Sequence, residues 1–251
     1  APTPTRMSSA KPLHHSATLV RLMKSMTPEK EAVILYGDNG TSHRYIMDEP
    51  VETRVWLWEA LSVGGRFWNC GFTGMHPAAT HDRRAAYNSV PVYEFVRDHE
   101  ATLAHHAPVA NVGIYYSRAT RQLNRTPSPE GERFGAAFQG TEDALLAGHL
   151  PYDVIPEDQL TAERLGRYRV VILPNVRCLN EVELELFRAY VRDGGGLVAT
   201  FATSLNDGAG QPRADFGLAE VFGCSFTGHS ADTRKDTYQF IAHPEHPLVS
   251  P

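Results

Sequence analysis

Two hydroxyl side chains that could act as nucleophiles follow an apolar run near residue 200. A helix ends there in three glycines, the apolar run Leu197–Phe201 follows, and Thr203, Ser204, Asn206 and Asp207 come next. In an open α/β sheet, the turn just past such a strand is where ligands and nucleophiles usually lie. Hydroxyls beside glycines also cap helices and turns. The stretch therefore predicts either an active-site turn or a capping structure.

A second group of polar residues lies in the segment Gly71–Arg84, which follows an apolar run. His76, His81 and Asp82 there could bind hydroxyl groups or a metal ion. Their spacing fits no standard zinc motif, so we expect no metal and no other cofactor.

Composition limits the classes of protein that are possible. The chain has 251 residues, 42% of them hydrophobic, a formal net charge of -5 and no long basic run. This argues against a nucleic-acid or anionic-membrane surface. No apolar stretch approaches the roughly 20 residues of a membrane span. Cys70, Cys178 and Cys224 show no CxxC spacing, and the first residues lack the apolar core of a signal peptide, so a reducing, cytoplasmic location is predicted.

Strands and helices alternate along the first half of the chain. Apolar runs predict strands at Glu31–Tyr36 and Arg66–Phe72. Helical spacing predicts a helix that opens at Pro50 and a long helix over Arg84–His105. This βαβα order favours a parallel sheet with helices on its faces.

The same pattern restarts after a junction at His105–Ala110. Residues 118–132 are polar, contain two prolines and are predicted to form a long loop. The order of the other segments suggests a doubly wound, flavodoxin-like sheet. Strands are expected at residues 112–116, 152–156, 169–175 and 197–201, and helices at 134–150 and 181–192.

Several motifs resemble the trimerisation domain of family 42 β-galactosidases and a related group of hypothetical glycosyl hydrolases. They are VANVGIYYS, GTEDALLAGHLPYDVIPEDQL, LGRYRVVILPNVRCLNEVELELFRAYVRDGGGLVATFATSLNDG and DFGLAEVFGCSF. Upstream, RYIMDEPVETRVWLWEALSVGGRFWNCGF and DRRAAYNSVPVYEFVRDHEATL resemble the last part of the preceding (β/α)₈ barrel. The resemblance lies in the linear order of motifs, over about residues 19–250, and includes no catalytic signature.

The resemblance implies a division into two domains. Residues 1–106 would be the C-terminal portion of a (β/α)₈ barrel, and residues 107–251 a class I glutamine-amidotransferase-like domain. A complete barrel needs about 250 residues, so we expect the chain to be a fragment of a longer enzyme. The alternative is a complete two-domain protein with a small α/β first half.

The resemblance also implies where catalytic groups would lie. A retaining glycosidase uses two carboxylates about 5–5.5 Å apart. In the family pattern the acid/base comes from strand four, which this sequence lacks, and a glutamate nucleophile from strand seven. Strand seven would be EAVILYGDNG, which places Asp38 at its end instead of a glutamate. Asp38 also suits a turn before Asn-Gly. Asp48 and Glu49 lie near the same mouth, where they could instead favour a helix N-terminus.

Further sugar-binding residues are expected at the end of the putative eighth strand and in the loop after it. Trp68 could stack on a sugar ring, although aromatic residues more often fill a core. The remaining candidates for substrate contact are Asn69, His76, His81 and Asp82.

The turn after residue 200 is then predicted to have a structural and not a catalytic role. An amidotransferase needs a cysteine at that turn, and Phe201-Ala202-Thr203-Ser204 contains none. The function we predict is a fragment of a glycoside hydrolase acting on β-galactoside-like glycosides, with a non-catalytic second domain that holds a homo-oligomer together, typically a trimer. The alternative is a non-catalytic carbohydrate-binding or assembly module. An amidotransferase or peptidase-like enzyme is disfavoured by the missing cysteine.

Overall fold

A computed structural model of the chain describes residues 14–37, 49–70, 84–103, 109–123, 129–229 and 241–247. Helix α1 (His15–Met26) comes first, followed by strand β1 (Val33–Gly37), helix α2 (Pro50–Ser62) and strand β2 (Arg66–Cys70). Strands β1 and β2 pair in parallel, with Leu35 opposite Trp68. The alternating pattern predicted two parallel strands joined through a helix, and this prediction is confirmed.

The ends of α2 follow from local chemistry. Pro50 lies in the first turn, where its fixed φ suits a helix and its missing N–H costs nothing. Gly64 adopts a φ of 82° just past the last turn. A Cβ on Gly65 would lie 2.6 Å from a Val20 methyl carbon, so glycine is required where α1 crosses the end of α2.

The long helix predicted over residues 84–105 is divided in two. Helix α3 spans Arg84–Asp98 and helix α4 spans Glu100–Leu103. At the break, the His99 ring nitrogen Nδ1 lies 2.9 Å from the Phe95 carbonyl oxygen, which the His99 N–H also reaches. The side chain thus shares a carbonyl with the helical ladder, a competition that hydrophobic spacing does not reveal.

A second sheet is built from four parallel strands. They are β3 (Val112–Tyr116), β4 (Tyr152–Pro156), β5 (Val170–Leu173) and β6 (Gly196–Ala199), in the order β4-β3-β5-β6. This matches the first four strands of the flavodoxin-like order 2-1-3-4-5. The connecting helices are α6 (Pro129–Ala147), α7 (Ala162–Leu165) and α8 (Glu181–Arg192), with a short α9 (Ala219–Phe222) after β6. An α/β fold with parallel sheets is therefore confirmed.

The prediction of a long loop over residues 118–132 is wrong at both ends of that range. Helix α5 (Arg118–Gln122) begins directly after β3, because the Ser117 side chain accepts a hydrogen bond from the Thr120 N–H and caps it. Helix α6 already begins at Pro129. Only residues 124–128 between them lie outside the described part of the chain.

The three glycines direct the chain from α8 into β6. Gly194 has a φ of 96°, the left-handed geometry that ends a helix. A Cβ on Gly195 would lie 2.3 Å from the Tyr190 ring. The expected tight entry into the strand is therefore confirmed, and it depends on the absence of side chains.

The main core lies between the four-stranded sheet and its helices. Tyr115, Phe134, Ile155, Leu173 and Phe187 are among its fully buried side chains. Smaller clusters lie under the first sheet, where α1 contributes Ala17 and Val20. Across the described ranges, none of the helices has the length and apolar character needed to cross a bilayer.

Candidate functional site

Glu49 lies at the carboxyl edge of the first sheet, at the N-terminus of α2. Its carbonyl oxygen accepts hydrogen bonds from the N–H groups of Glu52 (2.9 Å) and Thr53 (3.2 Å), while its side chain makes no capping bond. The residue is exposed. The helix start therefore uses the Glu49 backbone and leaves the carboxylate facing solvent at this edge.

Trp68 lies on a face of the first sheet that the described residues leave exposed. Its side chain is 61% exposed, and its register partner Leu35 is 55% exposed. Val33, two residues before Leu35 on the same face, is 51% exposed. Among the described residues, Trp68 is thus part of an apolar surface and not of a packed core.

Asn69 points to the other side of the same strand. Its register partner Tyr36 is buried on the face that the helices cover, and its backbone N–H donates to the Tyr93 hydroxyl at 3.1 Å. The side-chain oxygen of Asn69 is buried and has no hydrogen-bond partner within the described ranges. Trp68 and Asn69 are neighbours in sequence that face opposite sides of the sheet.

The other predicted site residues lie outside the described residues: Asp38, Asp48, His76, His81 and Asp82. Within the described ranges, no group of three or more His, Cys, Asp or Glu residues is arranged to hold a metal ion.

The hydroxyl groups in the turn after β6 form hydrogen bonds with other parts of the protein. The Thr203 hydroxyl lies 2.8 Å from the Thr200 carbonyl oxygen and 3.1 Å from that of Leu173, and it accepts from the Val176 N–H at 3.1 Å. Ser204 is fully buried with a φ of 68°, and its hydroxyl accepts from the Leu218 N–H at 3.3 Å. Both hydroxyls thus tie this turn to neighbouring segments.

At the carboxyl ends of β3 and β5, side chains after β3 form hydrogen bonds with the backbone after β5. Ligands of doubly wound folds bind outside the carboxyl ends of strands at this kind of position. Here the Thr120 hydroxyl accepts from the Cys178 N–H at 3.0 Å, and the Ser117 hydroxyl lies 3.5 Å from the Cys178 carbonyl oxygen. Burial raises the pKa of the Cys178 thiol, which disfavours the thiolate form that a nucleophile needs.

Two carboxylates at this edge were not predicted from the sequence. Glu157 accepts from the Ala119 N–H at 2.8 Å and so holds the start of α5. Glu183 accepts from the Tyr115 hydroxyl and from the Asn180 N–H, each at 2.6 Å, and burial raises its pKa. The Asn180-x-x-Glu183 spacing is a capping-box signature that the sequence displays. The contact with Tyr115 has no sequence signal. Both carboxylates bind protein groups.

We expect Thr203→Ala to destabilise the chain by about 1–3 kcal/mol, because the buried Val176 N–H would lose its partner. Urea denaturation would measure the change. Thr203→Ser keeps the hydroxyl and should retain most of the stability. Equal stability of Thr203→Ala and the unmodified chain would show that the turn does not depend on this hydroxyl.

The structure thus contains a four-stranded parallel sheet with connecting helices and a two-stranded parallel sheet, which together define an α/β protein. Residues 111–236 match the β-galactosidase trimerisation domain family. Because this match covers half of the chain, the chain belongs to that family. None of the curated proteins matches the sequence.

Solved structures of three glycosidases share the fold. A β-galactosidase from Bacillus circulans sp. alkalophilus is 17% identical, with a TM-score of 0.67 over 85% of this chain and 34% of its own. A cold-adapted β-galactosidase from Rahnella sp. R3 is 18% identical, with a TM-score of 0.66 over 87% and 35%. An α-L-fucosidase from Paenibacillus thiaminolyticus is 19% identical, with a TM-score of 0.55 over 77% and 28%. The chain thus spans about a third of the length of the β-galactosidases.

Proposed function

We propose that the chain is part of a glycoside hydrolase that acts on β-galactosides or related glycosides. The family domain, which we define as residues 111–236, is its non-catalytic assembly domain. The observation that carries this proposal is the uncovered apolar face of the first sheet, formed by Val33, Leu35 and Trp68.

Parallel strands are normally buried on both faces. Helices α1, α2 and α3 pack on one side of the first sheet, where Ile34 and Tyr36 are buried. The other face has no cover among the described residues. In a (β/α)₈ barrel, helices cover the outside of the strands, and side chains from the other strands fill the inside. We therefore infer that β1 and β2 are barrel strands, with Trp68 facing the barrel interior.

The domain division we propose is residues 1–106 for the barrel portion and 107–251 for the amidotransferase-like domain. Its support is the restart of the strand pattern at β3 and the family match from residue 111. The strand order of the second sheet supports the amidotransferase-like, flavodoxin-type topology.

The catalytic part of the proposal assigns the sugar site to the carboxyl edge of the first sheet. Asp38 is the proposed carboxylate, and Glu49 is exposed at the same edge. The complete reading frame tests this assignment. A glutamate at the end of a fourth barrel strand, together with hydrolysis of an aryl β-galactoside by the full product, supports an enzyme. A product without that glutamate and without turnover supports a non-catalytic carbohydrate-binding or assembly module.

We expect the product of the complete reading frame to be a trimer. A ring of three requires a different patch on each side of the protomer, and a stable contact buries about 1,200–2,000 Å². Light scattering at micromolar concentration measures the state. Deleting Asn124–Pro129 tests whether the segment that leads into α6 contributes to assembly. If this segment only connects elements, both the trimer and the activity should persist. A monomer would contradict the assembly role.

A further inference from the structure

Helix α1 contacts both sheets of the protein. On one side, Ala17 and Val20 pack with Ile34 of β1 and Ala60 of α2. On the other side, Leu22 packs against the core of the four-stranded sheet, and the helix lies along β4. Any change in how α1 docks on β4 therefore alters the connection between the first sheet and the family domain.

The contact between α1 and β4 centres on a buried polar chain. Arg21 donates from Nη1 to the Tyr152 hydroxyl oxygen at 3.1 Å, and its guanidinium carbon lies 4.3 Å from the centre of the Tyr152 ring. The Tyr152 hydroxyl in turn donates to Glu142 of α6 at 2.9 Å. Tyr152 is 1% exposed and Glu142 2% exposed, so both lie out of water.

This contact is incompletely hydrogen-bonded. The Arg21 Nε atom is buried without a hydrogen-bond partner among the described residues. A polar contact of this kind is only marginally favourable, and its strength depends on the charge of its members. Because a buried carboxylate is cut off from hydration, Glu142 is the member whose charge matters most.

We propose that α1 is a proton-sensitive latch between the first sheet and the family domain. Proton uptake by Glu142 tightens the docking of α1 on β4, and proton loss loosens it.

The direction follows from burial. Burial raises the pKa of Glu142 above its ordinary value, and the hydrogen bonds from Tyr152 and Thr18, together with the Arg21 charge, only partly offset this. A raised pKa means that the docked state holds the proton more tightly than the undocked state. The contribution to docking is therefore complete below the ordinary pKa and is lost as pH rises through the raised value.

The surrounding groups do not reverse this direction. The titratable, charged and hydroxyl groups that face Glu142 or lie next to it are His14, Thr18 and Arg21 of α1 and the turn before it, Asp143 of α6, Tyr152 of β4 and Arg164 of α7. Asp143, which lies 3.1 Å from His14, raises the pKa of Glu142 further. Arg164 donates to the carbonyl oxygens of Ser25 (3.0 Å) and Val154 (3.2 Å).

Hydrogen exchange of the peptide covering α1 tests the latch. Rates corrected for intrinsic exchange are compared from about pH 4, near the ordinary pKa of a glutamate, up to about pH 8. We expect protection of α1 to fall several-fold over this range, because docking loses the contribution of protonated Glu142. Protection of β5 and α8, in the core of the family domain, should change less.

Glu142→Gln keeps an acceptor for Tyr152 and removes the titration, so the fall in protection should largely disappear. Glu94→Gln, an exposed change on α3, is the matched control and should behave as the unmodified chain. Equal protection of the unmodified chain at both pH values, or an undiminished fall in Glu142→Gln, would overturn the proposal.

Tyr152→Phe provides a second variant in case Glu142→Gln does not fold. It removes the hydrogen bond that stabilises ionised Glu142, so the fall in α1 protection should become steeper than in the unmodified chain. An unchanged or shallower fall in Tyr152→Phe would equally overturn the latch.

Discussion

Aryl β-galactosides, fucosides and arabinosides are expected to show no detectable turnover with this chain alone, whereas the product of the complete reading frame should hydrolyse at least one of them. A retaining glycosidase needs a second carboxylate about 5–5.5 Å from the first. Loss of one positioned proton-transfer group reduces the rate by about 10²–10⁴-fold. Release of the aryl alcohol, followed by absorbance, measures the difference.

Asp38 provides the control for this experiment. In the complete product, Asp38→Asn should remove turnover if this carboxylate is the nucleophile, and Glu49→Gln should have a smaller effect. Turnover by the chain alone that is abolished by Asp38→Asn would contradict the proposal that a second carboxylate is supplied from elsewhere.

Trp68→Ala should have a small effect on stability in one form of the protein and a large cost in the other. In the chain alone the side chain is 61% exposed, so we expect a change in unfolding free energy within about 0.5 kcal/mol. In the complete product the proposed barrel would enclose this side chain, and its removal should then cost about 3–5 kcal/mol. Denaturant titration of both forms gives the comparison.

Leu57→Ala is the matched control for Trp68→Ala. Leu57 of α2 is fully buried, so its truncation should cost about 2–5 kcal/mol in both forms. A small cost of Trp68→Ala in the complete product would mean that the apolar face stays open there. The assignment of β1 and β2 to a barrel would then be wrong, while the family membership of residues 111–236 would be unaffected.

The sequence predicted those elements whose signals are local. The strands Val112–Tyr116 and Tyr152–Pro156 and the helix Glu181–Arg192 have the predicted bounds, because period, caps and turn residues lie within each segment. Helix α5 was missed, since it is one turn long and depends on a single capping hydroxyl, Ser117. The break at His99 was missed because hydrophobic spacing does not register the contact between the His99 ring and the Phe95 carbonyl oxygen found there.

The candidate sites show where local patterns stop being informative. The sequence predicted that Thr203 and Ser204 are structural, because no cysteine occupies that turn. It could not predict that three bonding partners surround the Thr203 hydroxyl, since these belong to strands and turns distant in sequence. Likewise, Trp68 and Asn69 were grouped as neighbours, although alternation along a strand sends them to opposite faces.

By itself, then, the sequence determined the alternation of strands and helices, the resemblance that the family match confirmed, and the residues able to carry chemistry. The tertiary structure alone decided which of these residues meet. The burial of Glu142, the Tyr115–Glu183 bond and the exposure of Trp68 each depend on segments that the fold brings together. Local propensity acts over a few residues, whereas desolvation and pairing of charges are properties of the assembled neighbourhood.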